Sequence, residues 1–410
     1  MKTSTTYHKV ASYEAKKGEF NTCILLYSGG LDTSVMLKWI QNEYNADVIA
    51  LTIDIGQLHE DLAEVKQKAL DLGAKEALVI DAKDRFADEL LAKAIKANAD
   101  YQGGYRLATC LGRVIKSQIA VEKAHEQNAT VIAHGCTGKG NDQVRFDSYI
   151  TTLDPSLKII APVREWSMSR ETEIAYAEKH GIPLNSKIKP IYSYDDNMWG
   201  SSADDGDIND TNCIAKLDDI LQVCTDPLNA PDESEVIEVG FEAGTPVSFN
   251  GKKGNMKEII KNANSVGAKH GVGICQLIED RLIGLKIRNI YEAPAAEILV
   301  QAHYNLEKLV STLDLNKMKE GIDSQWGYFC YSAKWFDPAM NSIHAFQDAA
   351  NKLVTGTVKL KLYKGAIQVV AVSSPYSMIE ATHTINQNAS AGFIELYNLA
   401  QKTSYNIHHE

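Results

Sequence analysis

The chain has 410 residues, a net charge of −11 and a pI of about 5.5, with 44% hydrophobic and 23% charged residues. That length supports two or three domains around sizeable cores, and the acidic balance excludes a general nucleic-acid surface while leaving room for a small local basic pocket. Seven scattered cysteines (Cys23, Cys110, Cys136, Cys213, Cys224, Cys275 and Cys330) form no C-x-x-C pair, which argues against a zinc site or a disulfide framework. Residues 1–21 hold no apolar core of a signal peptide, and no apolar run reaches membrane-spanning length. The chain therefore reads as a soluble, cytoplasmic protein that engages neither nucleic acid nor membrane.

Residues up to about Glu19 read as a loose polar arm. From Thr22 strand and helix alternate: strand Cys23–Leu26, helix Asp32–Glu43, apolar run Asp47–Ile55, helix His59–Leu72, strand Ala77–Ile80, helical stretch Asp84–Ala97, helix Leu111–Gln127 and strand Thr130–Ala133. Short Ile- and Val-rich runs between helices predict an α/β domain with a parallel sheet covered on both faces. Its ligands should sit beyond the carboxyl ends of the strands. A helix around Ser169–His180 stops at Gly181, with Pro183 beyond. The pattern then changes. Val236–Phe241 and Pro246–Phe249 flank Glu242–Thr245 as a hairpin, and Thr357–Leu362 and Ile367–Val372 do the same around Tyr363–Ala366. Helices at about Met256–Val266, Ala295–Leu313 and Pro338–Val354 lie between them, giving an α+β second domain. The expected division is an N-terminal arm over 1–20, the parallel-sheet domain over 21–188, the α+β domain over 189–385 and a C-terminal arm over 386–410.

Two segments carry chemistry. Tyr27-Ser28-Gly29-Gly30-Leu31-Asp32-Thr33-Ser34 joins an apolar strand to an amphipathic helix. Glycines let the backbone approach a ligand, the free N–H groups of a helix start face an anion, and Ser28, Thr33 and Ser34 add hydroxyls to the rim. No Gly-Lys-Ser/Thr closes the loop and the G-x-G-x-x-G spacing is absent, so it is neither a Walker A loop nor a dinucleotide fingerprint. The bland alternative is an ordinary capped strand-to-helix turn. The second segment runs His134-Gly135-Cys136-Thr137-Gly138-Lys139-Gly140-Asn141-Asp142-Gln143-Val144-Arg145-Phe146-Asp147. Its hydroxyl, amide, carboxylate and guanidinium groups can grip a zwitterionic amino acid, with Asp142 for an ammonium and Arg145 for a carboxylate.

With these residues in view, the chain resembles the argininosuccinate synthase family, within the N-type ATP pyrophosphatase group that shares the Ser-Gly-Gly-x-Asp-Ser/Thr loop. The resemblance runs from about Cys23 to Phe393. It takes in Ser28–Ser34, Asp54–Gln57, Gly135–Phe146, Arg164–Trp166, Tyr192–Asn197, His270–Gly273 and Glu279–Tyr291. It implies an adenine nucleotide alpha hydrolase-like first domain, a synthetase domain and a C-terminal oligomerisation arm in a homotetramer. It also implies that citrulline and aspartate are joined with ATP through a citrullyl-adenylate, releasing AMP and pyrophosphate in arginine biosynthesis. Mg²⁺ would travel with the phosphates and need no dedicated protein site.

By the same resemblance, Leu26, Tyr27, Ser28, Gly29, Gly30, Leu31, Asp32, Thr33, Ser34, Ile53 and Gly135 would contact ATP. Thr137, Asn141 and Asp142 would hold aspartate. Tyr105, Cys110, Asn141, Arg145, Ser193, Ser202, Glu279 and Tyr291 would hold citrulline, and no side chain would serve as a nucleophile. The chain departs from the family at Ala108-Thr109-Cys110 (usually Gly-Thr-Ser), at Val114 (usually proline) and at Ile208–Thr211 (usually Leu-Glu-Asp-Pro). A thiol is a weaker hydrogen-bond partner than a hydroxyl. Two other readings stand beside the ligase: a degenerate nucleotide-binding regulator of the same fold, and an ATP-pyrophosphatase synthetase acting on another acceptor such as a transfer-RNA base.

Other features read as structural. Asp205-Gly206-Asp207-Ile208-Asn209 starts like a calcium loop, but Asp210 and Lys216 stand where glycine and glutamate are needed. Cys136 reads as a small buried residue, and His134 as either a general base or a tethered strand-end histidine. Trp199-Gly200 reads as a packed turn and the apolar positions of Ala295–Leu313 as core. His408 and His409 read as a disordered terminus.

Overall fold

A computed structural model describes residues 7–58, 61–138, 140–166, 168, 170–183, 191–379, 384 and 386–409. The expected helix start at His59, Lys139, the helix start at Ser169, and the domain boundaries at 188/189 and 385/386 touch residues outside this set.

The first domain runs β1 (Thr22–Leu26), α1 (Leu31–Tyr44), β2 (Asp47–Asp54), α2 (Leu62–Asp71) and β3 (Glu76–Asp81). One helical stretch follows as α3 (Lys83–Phe86), a π-helical turn over Ala87–Leu91 and α4 (Ala92–Lys96). Then come α5 (Ala108–Glu126), β4 (Val131–Ala133), α6 (Asn141–Leu153), β5 (Lys158–Ile160), α7 (Pro162–Glu165) and α8 (Arg170–Lys179). The five strands pair in parallel in the order β3-β2-β1-β4-β5. Both faces are covered, which is why β1 reads as a continuous apolar run: Ile24 packs into one core and Cys23 and Leu25 into another. The order reverses between β1 and β4. The crevice beyond the carboxyl ends of those two strands is where such sheets bind ligands, and it opens onto both chemistry-bearing segments.

The N-terminal arm is not loose over its described part. Glu14 bridges to Ile159 beside β5, Ala15 and Phe20 are buried, and Tyr13 donates to Asp147 across 3.1 Å. Three well-separated apolar residues suffice to dock an irregular segment, and no periodicity announces that.

The second half contains β6 (Ser193–Asn197), β7 (Gly200–Asp204), α9 (Leu217–Ile220), β8 (Glu235–Glu242), β9 (Thr245–Phe249), β10 (Lys252–Lys253), α10 (Met256–Lys269), β11 (Ile274–Asp280) and β12 (Lys286–Glu292). It continues with α11 (Pro294–Val310), α12 (Leu313–Tyr331), α13 (Pro338–Ala350), β13 (Gly356–Tyr363), β14 (Ala366–Ser373), α14 (Gln387–Tyr397) and α15 (Leu399–His409). Both expected hairpins form, as β8–β9 and β13–β14, within one antiparallel sheet of order β10-β9-β8-β13-β14. A second sheet, β11-β12-β7-β6, was not anticipated. It consists of two hairpins, β6–β7 and β11–β12, joined by the pairing of Ala203 with Ile290; β6 and β7 read Ser-Tyr-Asp-Asp-Asn and Gly-Ser-Ser-Ala-Asp, which lack the β-branched residues that mark a strand.

One apolar core joins the two halves: Ile24, Leu111 and Ile132 from the first domain share it with Trp199, Leu299 and Leu360. Trp199 is fully buried and donates its indole N–H to the Arg106 carbonyl, so the expected packed turn is there. The core face of α11 also holds as expected, with Ala295, Leu299 and Leu306 buried. His408 and His409 are not disordered but end α15, where His409 stacks on Tyr405.

Candidate active site

The candidate nucleotide side is built where β1 meets α1. Gly29 has φ +77, and a Cβ there would lie 2.8 Å from Val65 Cγ2 of α2. Only glycine fits that turn. Gly30 precedes α1 without a side-chain cap, leaving the first-turn N–H groups facing the crevice. Ser28 and Thr33 hydroxyls approach within 3.3 Å at the exposed rim. Ser34 differs from the expectation of a rim hydroxyl. It is fully buried and donates to the Gly30 carbonyl at 2.7 Å, so it braces the turn from behind.

Leu26, Tyr27, Ser28, Ile53 and Gly135 line a cavity of about 370 Å³ beyond the strand ends. Gly29, Gly30, Leu31, Asp32, Thr33 and Ser34 form the turn beside that cavity and are not part of its lining. Arg113 and Lys116 of α5 also line it, and sequence reading did not select them. Their signal was available: Thr109, Arg113 and Lys116 recur at helical spacing on one face of α5.

The second cavity, of about 400 Å³, is lined by Tyr105, Thr137, Asn141, Asp142, Arg145, Ser193, Ser202, Glu279 and Tyr291. Thus every candidate amino-acid contact reaches one chamber except Cys110. The α6 N-terminus supplies Asn141, Asp142 and Arg145, and the unanticipated sheet supplies Ser193, Ser202, Glu279 and Tyr291. Cys110 sits fully buried behind Tyr105, its Sγ 3.7 Å from the tyrosine hydroxyl. Burial pushes its thiol up to about 11, so it stays neutral.

Charge in this chamber is tightly matched. Asp142 holds Arg113 through Oδ2 and Arg145 through Oδ1, both at 2.7 Å. Burial pushes the Asp142 carboxyl upward, but the guanidiniums of Arg113 and Arg145 outweigh it and bring it down to about 2. Asp142 and Arg145, expected as grips for an ammonium and a carboxylate, are thus also partnered with each other. Arg113 also pairs with Asp195 Oδ1 at 2.9 Å. Glu279 is buried, and burial raises its carboxyl against the hydroxyl donors Tyr291 at 2.8 Å and Tyr331 at 3.0 Å. Tyr105 stacks on Tyr291 with ring centroids 4.2 Å apart.

The remaining candidates are structural. His134 Nε2 bonds Asp147 at 2.6 Å and Nδ1 accepts the Cys136 N–H, so neither ring nitrogen is free to act as a base. Burial raises the Cys136 thiol. The acidic turn over Gly206–Asn209 is anchored by buried Ile208. Among the described residues no group of three or more His, Cys, Asp or Glu could hold a metal ion, and no helix is long and apolar enough to cross a membrane.

Comparison with known proteins fits this geometry. Residues 22–183 match the model of the argininosuccinate synthase N-terminal HUP domain, and residues 192–404 that of the argininosuccinate synthase C-terminal domain. The argininosuccinate synthase of Oceanobacillus iheyensis is 45% identical over 92% of this chain and 91% of its own length. Those of Chlorobium luteolum and Pyrococcus furiosus are each 43% identical over 94% of this chain, covering 98% and 95% of theirs. The chain belongs to the argininosuccinate synthase family: it is an ATP-using ligase that forms a carbon–nitrogen bond, joining citrulline to aspartate in arginine biosynthesis.

Proposed function

We propose that the ligation runs through a citrullyl-adenylate formed where the two cavities meet. One observation carries this reading: Arg113, Gly135, Tyr194 and Asp195 line both cavities, so nucleotide and amino-acid chambers open onto each other. ATP would lie over β1 and β4 with its pyrophosphate end against Ser28–Ser34 and its α-phosphate toward Arg113. Citrulline would fill the chamber between Tyr105, Arg145, Ser193, Ser202, Glu279 and Tyr291, with Cys110 acting through Tyr105. Aspartate would contact Thr137 and Asp142, and Asn141 would stand between the two amino acids.

A ureido carbon is a poor electrophile. Attack of the ureido oxygen on the α-phosphorus forms an O–P bond and expels pyrophosphate, creating a leaving group. The aspartate amine then attacks the ureido carbon, the C–O bond breaks and AMP leaves. No side-chain nucleophile is needed; positioning and charge stabilisation carry the reaction. Arg113 would lie beside the α-phosphate, where it would stabilise the charge on the phosphoryl oxygens as pyrophosphate is displaced and the further charge that AMP carries away.

Asp195 Oδ2 is buried without a hydrogen-bond partner, which suits one carboxylate ligand to Mg²⁺ carried on the phosphates. Mg²⁺ would neutralise phosphate oxygens there, using few protein ligands. The cytoplasmic assignment rests on seven free cysteines. The homotetramer rests on the C-terminal helices described below.

The test is conversion of radiolabelled citrulline with nucleotide products resolved. Omitting aspartate or ATP should abolish argininosuccinate, and AMP and pyrophosphate should appear in equal amounts. Release of ADP would rule out the adenylate route.

A further inference from the structure

We propose that Tyr331, the last residue of α12, is a positioning residue that fixes the Asn141 amide and the Glu279 carboxylate for citrulline. Its ring is buried and its hydroxyl lies at a junction. Asn141 Nδ2 donates to Tyr331 Oη at 2.9 Å, and Tyr331 Oη donates to Glu279 Oε1 at 3.0 Å. With the amide nitrogen engaged, Asn141 Oδ1 accepts the Leu282 N–H at 3.2 Å, so both ends of the amide are committed and it cannot flip. The Tyr331 carbonyl separately accepts Arg145 Nε and Nη2 at 3.1 and 3.0 Å.

Thus one residue touches three groups assigned to the substrates, lying 190 residues beyond Asn141, 186 beyond Arg145 and 52 beyond Glu279. Its orientation is set by stacking on Tyr101 at 3.8 Å, with ring planes within 8°, and by an edge contact with Tyr105. Arg145 also lies 4.8 Å over the ring.

The hydroxyl and the carbonyl are separable. Tyr331→Phe keeps the stack and both Arg145 bonds to the carbonyl while deleting only the link between Asn141 and Glu279. It also removes one of the donors that stabilise the ionised Glu279. The other groups facing that carboxylate stay in place: Arg145 from α6, Arg281 beyond β11, Asn289 and Tyr291 of β12, Tyr101 and Cys110. With one donor gone, Glu279 should protonate at higher pH.

This inference rests on the assignment of the second cavity to citrulline and aspartate, so Tyr331→Phe and Asn141→Ala are compared in the full chain. In Tyr331→Phe the citrulline KM should rise about tenfold, as for loss of a hydrogen bond to a charged group. The ATP KM should stay within about twofold, and the acid limb of kcat/KM for citrulline should move to higher pH. An unchanged citrulline KM and acid limb, with the citrulline KM raised in Asn141→Ala, would overturn the role of Tyr331 and leave the site assignment standing. A uniform rise of all three KM values with a lowered Tm would also overturn it, by showing a merely structural part. Citrulline and aspartate KM values unmoved in Asn141→Ala would bring down the site assignment itself, and this inference with it.

Discussion

Cys110 stands one layer behind the proposed citrulline chamber, against the Tyr105 hydroxyl. Its thiol lies behind Tyr105, whose hydroxyl also accepts the Thr109 N–H at 3.1 Å. A serine at this position would give the Tyr105 hydroxyl a stronger partner than sulfur does. Cys110→Ser is therefore expected to lower the citrulline KM about two- to fivefold, consistent with a neutral hydrogen bond of about 0.5–1 kcal/mol. Steady-state kinetics with citrulline varied check this, and an unchanged value clears Cys110 of any effect on binding. Most residues flanking the glycine turns were legible, because glycine, hydroxyl and charge in tight succession after a strand have few uses. Ser34 was legible only as a hydroxyl. Whether it faced ligand or turn depended on the Gly30 carbonyl four residues back.

At the scale of elements, α5 and α6 set the electrostatics. They bring Arg113 and Arg145 onto a single carboxylate, Asp142, whose side chain is 26% exposed. Asp142→Asn keeps the volume but takes the counter-charge from Arg145 and leaves Arg113 with Asp195 alone. The expected loss is about 3 kcal/mol, toward the low end for a broken buried pair because of that partial exposure. The sign with pH follows from the depressed carboxyl. Its folded value of about 2 lies below the ordinary range, so its stabilisation is complete above about pH 4 and is lost as pH falls toward 2. Urea unfolding of both proteins should show a gap that is full at pH 7 and shrinks between pH 4 and pH 2. Helix α5 was readable from apolar spacing, whereas α6 was read only as a polar segment and α12 was not recognised. Its buried residues, Lys319, Trp326, Gly327, Cys330 and Tyr331, include a lysine and a glycine, so its inner face lacks an apolar stripe. Lys319 is held by Asp323 and Glu307.

For the whole molecule, the C-terminal helices stand apart. No residue of α15 is buried, and Phe393, Leu396, Tyr397, Leu399 and Ile407 are exposed. Such a surface fits burial against other copies of the chain, in the proposed homotetramer. Deleting residues 386–410 is expected to leave the Tm of the remaining fold within a few degrees while reducing the mass in solution from tetramer to a smaller species. Light scattering with calorimetry checks both halves of this expectation. An unchanged mass would place the assembly contacts elsewhere.

The sequence by itself determined the parallel-sheet domain, and it singled out the glycine turn at Ser28–Ser34 and the polar segment at His134–Asp147 that line the crevice region. All three are local: strand-helix alternation, glycines at constrained positions and polar groups within a dozen residues of one another. Tertiary structure decided what lies between them. It placed Arg113 and Asp195 at the junction of the two cavities, joined Asp142 to two arginines, built a sheet from β6, β7, β11 and β12, and brought Tyr331 from the end of α12 onto Asn141 and Glu279. Those contacts follow from how distant elements pack around one shared core, and no short stretch of sequence specifies that packing.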